Sequence, residues 1–447
     1  MRPVEANVSD GLVLAHGVGS RADLPVPLSL ALYASGTAVL LSFFALVLLW
    51  RSSKLRGDAA GRPLPTVVQA VLDSPVLRWT LRLAVLAAAL LVVTVALVGP
   101  QDANANLAAY ALYVTFWVGL VPVSLVLGPV WQAVNPLRTL HSALARLTGP
   151  PPAGHRLEAL GYWPAAASLL AFVWLELVLP GRAEPRTVGL FLVLYAGVQL
   201  VASLWFGPGW FARGDGFEVY STLLGRLSPF GRREDGQLVV RSPLDGLDGV
   251  RQEHGLVAVV LVLVGSTGFD GLSRTQFWQE GPGQNAYLSA GPGTVGLLFM
   301  IGLAGVLYVG ATTAPVSATA GVRAQDLPGR YAHSLVPIAA GYAIAHYFSL
   351  LLLDGQATWI LASNPFASDG VDLFGTYGRA VDYTVVTPRT IALVQVTAIV
   401  VGHVVGVVLA HDRAVRDDPE HATARQLPLV AVMIAFTVGG LALLLSS

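Results

Sequence analysis

Ten stretches of about 20 residues, each nearly free of charge, govern what this chain can fold into. That is the helix length needed to cross roughly 30 Å of hydrocarbon. No water is present there to satisfy an open backbone, so each stretch must pair its own N–H and C=O groups as a helix. The blocks fall at about 26–50, 79–98, 108–129, 158–180, 187–206, 255–272, 294–313, 333–354, 390–410 and 427–445. They predict an all-α, polytopic transmembrane helical bundle of about ten spans. Composition agrees: 54% of the 447 residues are hydrophobic and 12% charged, against about 25% charged in an ordinary soluble domain.

Arginine sets the expected orientation. With the N-terminus outside, 20 of the 27 basic residues fall in inner connections and seven outside. The positive-inside rule then predicts an N-out, C-out chain in a bacterial-type cytoplasmic membrane. The chain divides into an extracytoplasmic segment 1–25, spans one to five over 26–206, a cytoplasmic connection 207–254, and spans six to ten over 255–447. Residues 1–23 carry no basic run against the first apolar block, so no cleaved signal is expected. Segments 51–78 and 132–147 read as short cytoplasmic interfacial helices, and Phe217–Leu227 as a further surface helix. The Arg233 to Arg241 stretch, with its Asp235-Gly236 pair, reads as a hairpin.

Several chemistries are excluded. There is no cysteine, hence no disulfide and no thiolate site. Net charge is zero, and no basic run is dense enough for nucleic acid. No Walker, Rossmann, zinc-finger or nucleophile-elbow pattern occurs on any loop.

Polar residues inside the spans are then the functional candidates, because an ionised group in hydrocarbon is costly unless paired or wetted. Glu176, Asp270 and Asp354 lie toward the outer ends of spans four, six and eight, all running outward. His346 lies about 12 Å deeper than Asp354, eight residues at 1.5 Å each. Tyr342, His346 and Ser349 share one helical face. His16 stands in the outer N-terminal segment. Carboxylates and imidazoles meeting at one depth suit a divalent metal with an open position for water; they equally suit a proton or cation pathway. Asp270 and Arg274 are also spaced i, i+4, as in a simple helical ion pair. His403, between Gly402 and Gly406, sits on a small-residue packing face. His333, His411 and His421 fall at or beyond cytoplasmic ends and are expected to be solvated.

Five segments carry a resemblance: Leu14-Ala-His-Gly-Val-Gly-Ser-Arg-Ala-Asp-Leu-Pro-Val-Pro27, Gly161-Tyr-Trp-Pro-Ala165, Phe172-Val-Trp-Leu-Glu176, Gly265-Ser-Thr-Gly-Phe-Asp-Gly271 and Ala345-His-Tyr-Phe-Ser-Leu350. In these, spread over nearly the whole chain, the sequence resembles the actinobacterial polytopic membrane proteins labelled fenitrothion hydrolase. The resemblance implies hydrolysis of an organophosphorus triester by an integral membrane enzyme. Such an enzyme would use His16, Glu176, Asp270 and His346 as ligands of a divalent metal that activates water. Asp354 would be general base and Arg274 charge stabiliser. The partners expected are the lipid bilayer and a lipophilic small molecule. Two other readings stand on the residues alone: a small-solute or ion transporter, and a non-catalytic membrane subunit working with a partner chain.

Overall fold

The computed structural model describes residues 27–149, 157–314 and 323–445, and among them the chain is an all-α bundle. Its principal helices are α1 (Leu28–Leu49), α2 (Pro75–Val98), α3 (Leu107–Leu127), α4 (Pro136–Thr148), α5 (Trp163–Leu177), α6 (Pro185–Phe206) and α7 (Gly216–Gly225). They continue with α8 (Leu256–Ser273), α9 (Ala290–Thr313), α10 (Val336–Leu353), α11 (Pro388–Asp417) and α12 (Ala422–Leu445). Nine described helical segments are long and apolar enough to cross a membrane, and α5 is a shorter apolar helix of 15 residues. The architecture is that of a multi-pass membrane protein.

Local sequence accounts for the helix ends. Proline opens α2, α4, α6 and α11, where a missing N–H removes no intrahelical bond. Asn135, Asp215, Ser289 and Thr387 cap their helices through side-chain oxygens. Gly149, with φ of 80°, ends α4 in a conformation that disfavours any residue with a Cβ.

Glycine also sets the closest packing, between α10 and α11. A Cβ on Gly402 would stand 2.5 Å from the Pro337 carbonyl oxygen, and one on Gly406 2.6 Å from that of Ser334. A Cβ on Gly341 would collide with the Ala398 carbonyl. The two helices therefore touch backbone to backbone, which is how small residues let membrane helices associate. Around this pair α1, α11 and α12 pack on one another, and α8 bridges α5, α9 and α10.

Connections 51–62, 226–251, 323–331 and 412–418 gather at one end of the bundle. Asp58 binds Arg226 at 2.5 Å and Arg241 at 3.0 Å; Asp417 binds Arg330 at 2.5 Å. Asp248 receives Arg413 and Arg416, each at 3.0 Å. Burial alone would raise the Asp248 carboxyl, but hydrogen bonds from Arg416 and Arg413 outweigh it and hold the group below the usual carboxylate range. A three-stranded sheet sits here, with Phe230–Arg232 and Arg62–Pro63 flanking Leu238–Val240 on either side, so the hairpin expected around Asp235-Gly236 is present.

Three sequence expectations need correction. The helix expected on the surface at Phe217–Leu227 is α7, and it is buried along nearly its whole length. Its Phe217 packs on Phe116, Trp117, Phe172 and Tyr195, with ring centroids 4.9 to 6.1 Å away. A helix whose one charge, Glu218, finds a buried partner can be apolar all round and sit inside. Segment 51–78 holds a 3-10 turn at Gly57–Ala59, the strand Arg62–Pro63 and one short α-helix, Thr66–Leu72, with Val67, Val71 and Leu72 exposed, before α2 begins at Pro75. His333 and His411 are buried rather than solvated. His411 stands 3.2 Å from Gln426 Oε1 and 3.1 Å from the Trp50 carbonyl oxygen, so neighbouring helices replace the solvent.

Candidate functional site

The site is built from α8 and α10, brought together with α5 alongside. Asp270 and Arg274 follow each other by one turn at the end of α8, and Arg274 Nη2 donates to Asp270 Oδ1 at 2.9 Å. His346 reaches across from α10 and places Nε2 against Asp270 Oδ2, and Arg274 Nη2 lies 3.2 Å from the same nitrogen. Asp270 is 4% exposed and His346 1%. The three side chains thus form a carboxylate–imidazole–guanidinium triad between two spans, with its carboxylate and imidazole buried and its guanidinium partly so.

Aromatic rings hold the imidazole. Tyr342, one turn before His346, stacks on it with centroids 6.1 Å apart and planes 24° off parallel. Tyr347 meets it edge-on at 4.8 Å. Tyr347 also donates its hydroxyl to Glu176 Oε1 of α5 at 3.3 Å. Glu176 is 8% exposed and so faces the bundle, joined to the triad through Tyr347.

Of the residues singled out in the sequence, Asp270, Arg274 and His346 come into direct contact, and Glu176 is one side chain removed. Asp354, at the far end of α10, is buried but stands about 12 Å further along the axis, eight residues at 1.5 Å each. That places it outside the triad. His16 lies outside the described residues.

The triad's donor set fits an ion pair better than a divalent metal. The imidazole nitrogen facing the carboxylate is already engaged, and a fixed guanidinium charge stands 3.2 Å from it. A second cation there would face direct repulsion. Among the described residues no group of three or more His, Asp or Glu is close enough to hold a metal.

A second polar cluster joins α4, α6 and α7. Arg138 clamps Glu218 through Nη2 at 2.5 Å and Nε at 2.7 Å. Asn135 donates to Asp215 at 2.8 Å and to Glu218 at 3.1 Å, and Tyr195 donates to Asp215 at 2.6 Å. Sequence reasoning missed it because its charged residues and Asn135 stand outside the charge-free blocks, and Tyr195 does not interrupt the block it lies in. The signal available was the lone acid Glu218 in an otherwise uncharged decamer.

Compared with family models, curated proteins and solved structures, the chain gives no match. Function therefore rests on the site.

Proposed function

We propose that this protein is a membrane-embedded hydrolase acting on a neutral, lipophilic ester of the organophosphorus type, with Asp270, His346 and Arg274 as its working group. The contact between Asp270 and His346 carries this reading. A carboxylate on one imidazole nitrogen fixes the ring and stabilises the imidazolium that forms when the other nitrogen takes a proton. Water attacks phosphorus, its proton passes to His346, and the aryl oxide leaves to become a phenol with that proton. Arg274 stands beside the imidazole, where it can balance charge growing on the phosphoryl oxygen. No step runs through a metal.

The finer topology belongs to the same proposal. Counting α5 gives ten spans, and the arginine-rich end faces the cytoplasm. The triad then lies in the outer leaflet of the cytoplasmic membrane, within reach of substrates that partition into lipid. Detergent-purified protein should hydrolyse a nitrophenyl phosphotriester after exhaustive chelation. Equal turnover by wild type, Asp270→Asn and His346→Gln would end the proposal.

A proton-coupled carrier is the second reading. Its support is the buried imidazoles of His403 and His411 below the triad on α11. Against an open route weighs the backbone contact of α10 with α11 at Gly341, Gly402 and Gly406.

A further inference from the structure

Gln395 of α11 is fully buried, and neither its amide nitrogen nor its amide oxygen has a hydrogen-bond partner. Ser349 of α10 is also fully buried, and its hydroxyl has no partner. Residues 395, 399, 402 and 406 form one stripe of α11 at the spacing of a helix-packing face, and its glycines touch α10. Gly402 opposes Pro337 and Gly406 opposes Ser334, which fixes the antiparallel register of the pair. One turn outward from the Gly341–Ala398 contact, Gln395 is level with Ala345 and His346. Ile399 packs with Tyr342 and Ala345, in keeping with that register. Ser349 lies one turn further out. One unpaired polar side chain therefore stands at the level of His346 and the other one turn outward, with the glycine contact as a floor beneath both.

An amide and a hydroxyl left unpaired in an apolar seam are unfavourable for folding, so a stability role does not explain them. Folded proteins retain such conflicts where function requires them. We infer that Gln395 and Ser349 form a binding subsite for the neutral polar group of a lipophilic ligand, of the phosphoryl-ester class. The subsite offers hydrogen bonds without charge. Arg274, the cation of the triad, is committed to Asp270. An anionic ligand would lack a counter-charge; a phosphoryl or ester oxygen would not need one. This inference rests on the hydrolase reading for its ligand class but not for its geometry.

The test uses full-length protein in detergent, with triethyl phosphate as a neutral, slowly hydrolysed probe. Gln395→Leu should unfold at a higher temperature than wild type in the absence of probe, because an unpaired amide has gone. Triethyl phosphate should raise the wild-type midpoint by several degrees, as any ligand of the native state does, and that shift should vanish in Gln395→Leu. Ser349→Ala serves as the second variant, with the same two expectations. A lower midpoint in both variants without probe would mean the groups are structural and would overturn the subsite. So would a probe shift that is absent from wild type or unchanged in the variants. A Gln395-dependent shift in protein that fails to hydrolyse nitrophenyl phosphotriesters would keep the subsite and remove the hydrolase.

Discussion

Asp270 divides its carboxylate between two partners: Oδ1 accepts from Arg274 Nη2 at 2.9 Å, while Oδ2 meets His346 Nε2. One partner is on the same helix and the other on a different span, so this acid ties α8 to α10. Asp270→Asn keeps the size and loses the charge that stabilises a protonated imidazole. Turnover of a nitrophenyl phosphotriester should fall by about 10²–10⁴-fold, the range for a general acid–base group. Helical content by circular dichroism should be retained. Turnover within threefold of wild type would remove Asp270 from the mechanism.

Tyr347 supplies the hydroxyl at Glu176, 3.3 Å away. Tyr347→Phe leaves a buried carboxyl without that donor, a loss of about 1–3 kcal/mol. Thermal unfolding in detergent should register it. In the Glu176→Gln background, the same Tyr347→Phe change should cost less, since no carboxyl remains to be stranded. Equal losses in the two backgrounds would show that the pair does not interact.

Arg138 and Glu218 form the ion pair inside the second cluster, with the Glu218 side chain 1% exposed. Arg138→Ala strands a buried negative charge, which costs on the order of 3–5 kcal/mol. Adding Glu218→Gln should recover most of that loss, because the stranded charge is removed. A double variant no more stable than Arg138→Ala would refute the charge argument.

Asp248 gives the pH dependence outside the spans. Its folded-state carboxyl is held below the usual range, so the stability it adds is present above the unfolded value of about 3.9 and lost as pH falls through the lower folded value. Asp248→Asn should lower neutral-pH stability by about 2 kcal/mol, reduced from the buried-pair figure because Arg416 keeps contact with water. The gap between variant and wild type should close as pH drops below about 3.9. A gap independent of pH would show that charge is not its cause.

Gly402 marks the tightest approach of α11 to the Pro337 carbonyl, 2.5 Å from where a Cβ would stand. Gly402→Ala should destabilise by about 1–3 kcal/mol through overpacking. Gly302, where a Cβ would meet nothing within 4 Å, should accept alanine with no comparable loss. A comparison of the two midpoints checks the seam directly.

Each of the ten apolar blocks read from the sequence coincides with a helix, because a run that long without charge has no other way to satisfy its backbone. Asp270, Arg274 and His346 were likewise legible as misfits in apolar surroundings. Their grouping was only half so: the i, i+4 spacing gave Asp270 with Arg274, whereas His346 is 72 residues further on. Gln395 could not be singled out, since an uncharged amide barely interrupts an apolar run. What makes it exceptional is its lack of a partner, and partners belong to packing.

Sequence by itself determined that this chain is a helical bundle built for an apolar surrounding, because backbone hydrogen bonding in hydrocarbon depends on local composition and length alone. Tertiary structure decided the rest: α7 turning inward to its aromatic neighbours, His333 and His411 losing solvent, and Arg274 coming to stand beside the contact of Asp270 with His346. Each of those outcomes depends on which side chains from distant spans meet. Crossing order and helix rotation fix that, and neither is encoded in any single apolar run.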